Sequence, residues 1–187
     1  PPINVSGAAD REPVGPNGDK STDRAKARVV LDFGGRCTVA DDAGNVVQCG
    51  SIAELPNGSL KLLKISLSGV AAFHDEALLS LGTMDHLRAL NLRGTRVTSA
   101  GLANLALCSD LNSVRLSATP VTDAGVRYLT ELNQLRFVSL SDTPTSNAAV
   151  RSLTRISSLE MIDLNQISLT IEGLQALKNL PKLTGLE

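Results

Sequence analysis

The chain has 187 residues, a net charge of -1, an apolar fraction of 42% and 2% aromatic residues, which allows one soluble domain plus a tail. So balanced a charge argues against a nucleic-acid binder, which carries a basic excess. Having only Phe33, Phe73, Phe137 and Tyr128 as aromatics removes the stacking platforms of single-strand and many sugar sites.

No apolar run approaches the roughly 20 residues of a membrane span. No basic-then-apolar leader is visible. Because it starts at Pro1, the chain reads as a processed or trimmed form from which an export signal has been removable. Residues 1–26 hold Pro1, Pro2, Pro13 and Pro16 among mixed charges and few large apolar residues. Such a segment buries too little to offset its ordering entropy, so a disordered N-terminal arm is expected there.

Residues 27–59 read as an N-terminal cap. Val29-Val30-Leu31 suggests a short helix or strand. Arg36-Cys37-Thr38-Val39 and Asn45-Val46-Val47-Gln48-Cys49 flank Asp41-Asp42-Ala43-Gly44, the pattern of a β-hairpin with an Asp/Gly turn. A turn centred on Ala43 sets Cys37 opposite Cys49. They form either a disulfide in an oxidising compartment or two small buried hydrophobes. Two cysteines without further Cys or His do not make a zinc site.

From residue 60 to residue 187 one pattern recurs every 24 residues, with about five copies and the start of a sixth. Its apolar positions are Leu87-Leu90-Leu92, Leu111-Val114-Leu116, Leu135-Val138-Leu140 and Leu159-Ile162-Leu164, after an imperfect first copy at Leu62-Ile65-Leu67. A fixed period of this length signals a solenoid whose copies share one core. The alternation Leu90/Leu92 predicts a short strand. Apolar residues then recur at Leu102, Leu105 and Cys108 and their equivalents, predicting a buried stripe on a helix of two to three turns and placing Cys108 in the core. Thr98, Thr122, Ser146 and Thr170 stand where helix N-caps are needed, and Gly101, Gly125, Ala149 and Gly173 would let each helix lie close to the strand layer. Leu183-Thr184-Gly185-Leu186-Glu187 begins another strand, and the chain is expected to continue past it. The protein is expected to be monomeric unless that edge pairs.

These copies resemble the leucine-rich repeat family, in the variety that reads L-x-x-L-x-L-x-x-T-x-V-T-D-A-G-L-x-x-L. Such repeats are similar to those of many bacterial surface or exported proteins and of F-box substrate-recognition subunits. The resemblance implies an α/β, right-handed solenoid with short parallel strands on the concave face and short helices on the convex face. Where that family commonly has Asn after the strand, this chain has Thr95, Thr119, Thr143 and finally Ile167. A Thr hydroxyl there can bond loop backbone along the stack; Ile167 cannot, so the loop at residues 165–171 is expected to be the least regular.

No catalytic constellation, cofactor motif or metal-ligand set is present. His74 falls at an N-cap position, His86 has no partner at triad spacing, and Asp32-Phe33-Gly34-Gly35 lacks the Lys-Ser/Thr of a phosphate loop. What remains is surface. The concave strand positions form three columns, Lys64-Ala89-Ser113-Phe137-Met161, Ser66-Asn91-Arg115-Ser139-Asp163 and Ser68-Arg93-Ser117-Ser141-Asn165. Phe137 and Met161, with Arg93 and Arg115 to one side and Glu160 and Asp163 to the other, have the composition of an interface hot spot. The candidate partner-binding residues are Asn91, Arg93, Arg115, Phe137, Ser139, Met161, Asp163 and Asn165. The expected function is a non-catalytic protein-protein interaction module, extracytoplasmic by its resemblance. The alternative is a recognition or regulatory domain of a larger enzyme complex. A carbohydrate-binding role fits poorly with so few aromatics.

Overall fold

Ile65, Leu90, Val114, Val138, Ile162 and Leu186 stand opposite one another in turn along a ladder of parallel strands. The computed structural model describes residues 22–187. Its strands are β1 (Arg36–Asp41), β2 (Val46–Cys49), β3 (Leu60–Ser66), β4 (Ala89–Asn91), β5 (Ser113–Arg115), β6 (Phe137–Ser139), β7 (Met161–Asp163) and β8 (Gly185–Leu186). They form one sheet in the order β2-β1-β3-β4-β5-β6-β7-β8. From β3 onward the register is the sequence period itself, which is the arrangement of a leucine-rich-repeat solenoid.

The return segments are α2 (Asp75–Ser80), a 3-10 helix at Gly101–Leu107, α3 (Asp123–Val126) continuing as a 3-10 turn at Arg127–Glu131, α4 (Asn147–Leu153), and α5 (Ile171–Ala176) followed by a 3-10 turn at Leu177–Asn179. Their α-helical stretches run to seven residues at most, about two turns, and three of the five segments are wholly or partly 3-10. Leu102, Leu105 and Cys108 recur at three residues per turn, a spacing a 3-10 helix matches, and all three are fully buried; Val150 and Leu153 keep the same spacing on the α-helix α4. Strand and helix residues merge in one apolar cluster running from Ala27 to Leu180. At roughly 1.5–3 kcal/mol per large side chain buried, this shared core supplies the main stabilising term.

The cap departs from expectation in one respect. α1 (Asp23–Asp32) begins inside the segment expected to be a disordered arm; of that arm, residues 1–21 lie outside the described residues. Its polar start is ordered because each group finds a partner. Thr22 Oγ1 accepts from the Ala25 N–H at 3.3 Å, Asp23 Oδ2 accepts from the Leu62 N–H at 2.7 Å, and the buried Lys26 ammonium donates to the Thr83 carbonyl and to Asp23. β1 runs antiparallel to both β2 and β3, so the hairpin covers the first face of the stack. Phe33 meets Phe73 edge-on at 5.1 Å where cap and first repeat join.

Two repeated devices hold copy to copy. In the first, a turn residue after each strand has positive φ: Gly69 (78°), Gly94 (67°), Ala118 (54°), Asp142 (55°) and Gln166 (59°). Gly94 donates to the Ser117 carbonyl, Ala118 to Ser141 and Asp142 to Asn165, at 2.9, 2.9 and 3.0 Å. The following Thr95, Thr119 and Thr143 hydroxyls do not bond along the stack; each donates to the carbonyl three residues back, Leu92, Leu116 and Leu140. The loop at Ile167 is not irregular there, because its backbone keeps the same turn: Ile167 N–H donates to Leu164 at 3.3 Å, as Thr143 N–H does to Leu140 at 3.2 Å.

The second device joins the residue after one N-cap to the N-cap of the next copy. Asp75 accepts from the Thr98 N–H (2.7 Å) and hydroxyl (2.6 Å), and Ser99 Oγ accepts from the Thr122 N–H (3.0 Å). Asp123 accepts from the Ser146 N–H (2.8 Å), the Ser146 hydroxyl (2.7 Å) and the Ala149 N–H (3.0 Å). Asn147 Oδ1 accepts from the Thr170 N–H at 3.1 Å while its amide donates to the Thr170 hydroxyl at 2.8 Å. The expected capping is therefore only half realised. Thr98 and Ser146 accept from the Ala100 and Ala148 N–H at 3.2 Å, whereas Thr122 and Thr170 make no side-chain cap bond. The glycines likewise serve the neighbouring copy rather than the strand layer. A Cβ on Gly125 would lie 2.8 Å from Ser99 Oγ and 2.9 Å from Ser99 Cα, and one on Gly101 or Gly173 would collide with Asp75 or Asn147.

At the far end, Leu174 is 48% exposed and Leu186 51%, although Leu102, Val126 and Val150, the equivalents of Leu174, are at most 1% exposed.

Candidate functional site

Period-two alternation fixes which strand residues leave the core. Leu90, Val114, Val138 and Ile162 point inward and are buried, so the residues on either side of each face the open side of the sheet. Ala89, Ser113, Phe137 and Met161 are consecutive partners, as are Asn91, Arg115, Ser139 and Asp163. Seven of the eight residues singled out from sequence, all but Asn165, line a single shallow cavity of about 350 Å³, joined by Ser68, Ser117 and Glu187.

Within it the side chains are organised in pairs. The Arg115 guanidinium lies over the Phe137 ring, 5.0 Å from its centre, close enough for cation–π attraction. Phe137 is half-buried against this cover, and Met161 directly opposite it is 41% exposed. Ser139 is not a surface residue: it is 2% exposed, donates to Asp163 Oδ2 at 2.6 Å and so accepts from the Ser117 hydroxyl at 2.5 Å. It acts on the surface only by fixing Asp163, whose other oxygen accepts from the Asn165 backbone and amide at 3.1 and 3.0 Å. Asn165 is thereby turned into a loop brace beside the cavity. Asn91 does the same one side over, accepting from the Arg93 N–H at 3.0 Å. Glu160 is paired to Arg136 at 3.5 Å on the exposed rim.

A second cavity, of about 240 Å³, adjoins the first at Asn91 and Arg115 and was not foreseen. Arg36, Thr38, Gln48, Lys64, Ser66 and Ser113 complete its polar lining. It exists because β1 pairs with β3, setting Arg36 opposite Ser66 and Thr38 opposite Lys64 and so carrying the concave columns onto the cap. The signal was the alternation Arg36-Cys37-Thr38-Val39, in which Cys37 and Val39 are buried; what the sequence did not supply was the pairing partner.

Most of the other chemically interesting side chains have structural partners. His74 caps α2, its Nδ1 accepting from the Ala77 N–H at 3.4 Å. His86 shares a groove with Asp23, Asp41 and Asp42. There Asp23 holds the Leu62 N–H, Asp41 the Asn45 N–H and Asp42 the Ser59 N–H. The Asn45 side-chain amide and then its N–H hold the Asp41 carboxyl below its ordinary range, and the Gly50 N–H with the Ser51 hydroxyl does the same for Glu54. Among the described residues no three His, Cys, Asp or Glu side chains converge as metal ligands would. Cys37 and Cys49 face each other in register, as free buried thiols. Burial, then the adjacent Cys49, pushes the Cys37 thiol up to about 12, and burial raises Cys49 and Cys108 as well. Among the described residues no helix is long and apolar enough to cross a membrane.

No protein-family model matches the chain, and no curated protein matches it. Among solved structures, an internalin from Listeria monocytogenes is similar at 17% identity and a TM-score of 0.40, over 59% of this chain and 43% of that one. The chain thus spans less than half the length of that structure. Its own strand register, positive-φ turns and buried leucine positions make the described fold a leucine-rich-repeat solenoid.

Proposed function

We propose that this protein is a non-catalytic interaction module that holds a protein partner on the concave face of its solenoid. The observation carrying this reading is the Phe137–Met161 pair, presented on an otherwise polar sheet with Arg115 laid over the aromatic ring. Aromatic, Met and Arg side chains at the centre of a polar rim are where binding energy concentrates. His74 caps a helix and the three thiols are buried, which supports a role without chemistry. Work outside the cytoplasm is part of the proposal, supported by the facing Cys37 and Cys49, a pair that an oxidising compartment would join.

The test is affinity capture with the intact chain, followed by titration of the identified partner against variants. Phe137→Ala and Arg115→Ala should each weaken it by roughly thirtyfold, the effect of losing a hot-spot side chain, while circular dichroism stays unchanged. Wild-type affinity in both variants would overturn the proposal. A thiol count in denaturant, on protein taken from its own compartment without reduction, tests the location: one thiol that becomes three after reduction supports it, and three thiols before reduction reject it.

A further inference from the structure

The charges on the concave face are segregated along the solenoid. At the cap end, Arg36, Lys64 and Arg115 line the 240 Å³ cavity, whose lining contains no carboxylate. At the other end, the adjoining cavity that holds Arg93 and Arg115 closes on Asp163 and Glu187. Among the described residues, ion pairs within 4.0 Å join only Lys26 to Asp23 and Arg136 to Glu160. The two ends therefore do not neutralise each other. Arg36 acts on the Glu54 carboxyl from beyond ion-pair distance, and Asp163 is met by the neutral donors Ser139 and Asn165. Phe137 on β6 lies between Arg115 on β5 and Asp163 on β7, and Met161 starts the strand that Asp163 ends.

We propose that this face reads an extended peptide of matching polarity: acidic side chains over Arg36, Lys64 and Arg115, an apolar side chain on Phe137 and Met161, and a basic side chain at Asp163 and Glu187. The proposal rests on the concave face being the partner surface and adds the chemistry of the partner. Its spacing follows from the sheet. From Lys64 on β3 to Asp163 on β7 is four strand steps, about 19 Å at roughly 4.8 Å each. An extended chain covers that in about six residues at roughly 3.3 Å per residue. Potential of opposite sign at the two ends fixes the orientation of the segment and discriminates against peptides whose charges are mixed.

The experiment uses the intact chain and three fluorescein-labelled octapeptides read by anisotropy. They are Glu-Asp-Gly-Ser-Leu-Ser-Lys-Arg, the same composition with charges interspersed as Lys-Glu-Ser-Leu-Arg-Gly-Asp-Ser, and octaglutamate. The segregated peptide should bind at least tenfold tighter than the interspersed one and tighter than octaglutamate. Lys64→Ala and Asp163→Ala should each reduce that preference at least threefold, and Arg155→Ala, off this face, should leave it unchanged. Equal binding of the segregated and interspersed peptides, octaglutamate binding as well as either, or no binding up to millimolar concentration overturns the polarity reading. The concave-face reading fails separately, when Phe137→Ala and Arg115→Ala keep wild-type affinity for the captured partner.

Discussion

Asp123 offers the sharpest test of what joins one repeat to the next. Its carboxylate accepts from two backbone N–H groups and one hydroxyl of the following copy, at 2.8, 3.0 and 2.7 Å. Asp123→Ala removes all three acceptor contacts at once, leaving the Ser146 N–H to water and the buried Ala149 N–H with the Ser146 carbonyl alone, at 3.0 Å. A hydrogen bond to a charged group is worth about 1.5–3 kcal/mol when buried. Asp123 is only half-buried and Ser146 exposed, so water recovers much of that, and a total loss of about 2–3 kcal/mol is expected. For a chain of this size that lowers the melting temperature by about 4–12 °C, at roughly 2–4 °C per kcal/mol. Asp123→Asn should cost less than about 1 kcal/mol, because Asn147 performs the same task one copy later with its amide. Urea and thermal unfolding of both variants, with Ser146→Ala completing a double-mutant cycle, measure the coupling. If Asp123→Ala unfolds like the wild type, or Asp123→Asn is as damaging as Asp123→Ala, the ladder is incidental to stability.

Further outcomes follow from single positions. Ala118→Gly should stabilise by about 0.5–1 kcal/mol, since relief of about 1–2 kcal/mol at φ 54° exceeds the added unfolded-state entropy; unchanged or lower stability in urea unfolding would contradict this. Gly125→Ala should destabilise by about 1–3 kcal/mol through overpacking, because its Cβ would meet the Ser99 backbone at 2.9 Å; the same unfolding assay decides it. Cys37 is raised to about 12, so its contribution is full below the unfolded thiol value near ~8.5 and is lost as pH rises from there through 12. Thiolate absorbance of the folded protein should accordingly lag behind that of the urea-unfolded chain, and coincident titrations would refute it. Asp41 and Glu54 are lowered, so the stability they add is present above the ordinary carboxylate range and fades as pH falls through their folded values. The urea midpoint of Asp41→Asn should therefore fall less between neutral and acid pH than that of the wild type, and equal falls would refute it.

The architecture was legible because the core writes itself into the sequence at fixed intervals. Ile65, Leu90, Val114, Val138 and Ile162 could be aligned without coordinates, and the strand register follows that alignment residue for residue. The 3-10 character of the return segments is not legible in their three-residue spacing, because Leu102, Leu105 and Cys108 sit on a 3-10 helix while Val150 and Leu153, equally spaced, sit on an α-helix. What could not be read was anything depending on contacts between copies. Asp123 looks like a first-turn acidic residue, and only the stacked neighbour shows that it serves Ser146. Ser139 occupies an outward strand position in any alternation count, yet Ser117 and Asp163 close over it. The cationic cavity was missed for the same reason, since nothing in Arg36-Cys37-Thr38 states that β1 lies beside β3.

These contacts separate two sets of residues. The stack is held by the inward leucines, by the positive-φ turns and by the ladder through Asp75, Ser99, Asp123 and Asn147. None of these groups lines either concave cavity apart from Ile65 and Leu90. Conversely Arg36, Lys64, Arg93, Phe137 and Met161 make no side-chain hydrogen bond or ion pair to another copy within the described residues; on this face it is Arg115 that reaches its neighbour across the Phe137 ring, and Ser139 that joins Ser117 to Asp163. Changing them alters the charge and shape of the face without loosening a repeat from the next. Side chains released from holding the fold are free to be specified by what they bind, and this is why substitutions at Lys64, Arg93, Phe137 and Met161 are expected to move affinity while Asp123 moves stability.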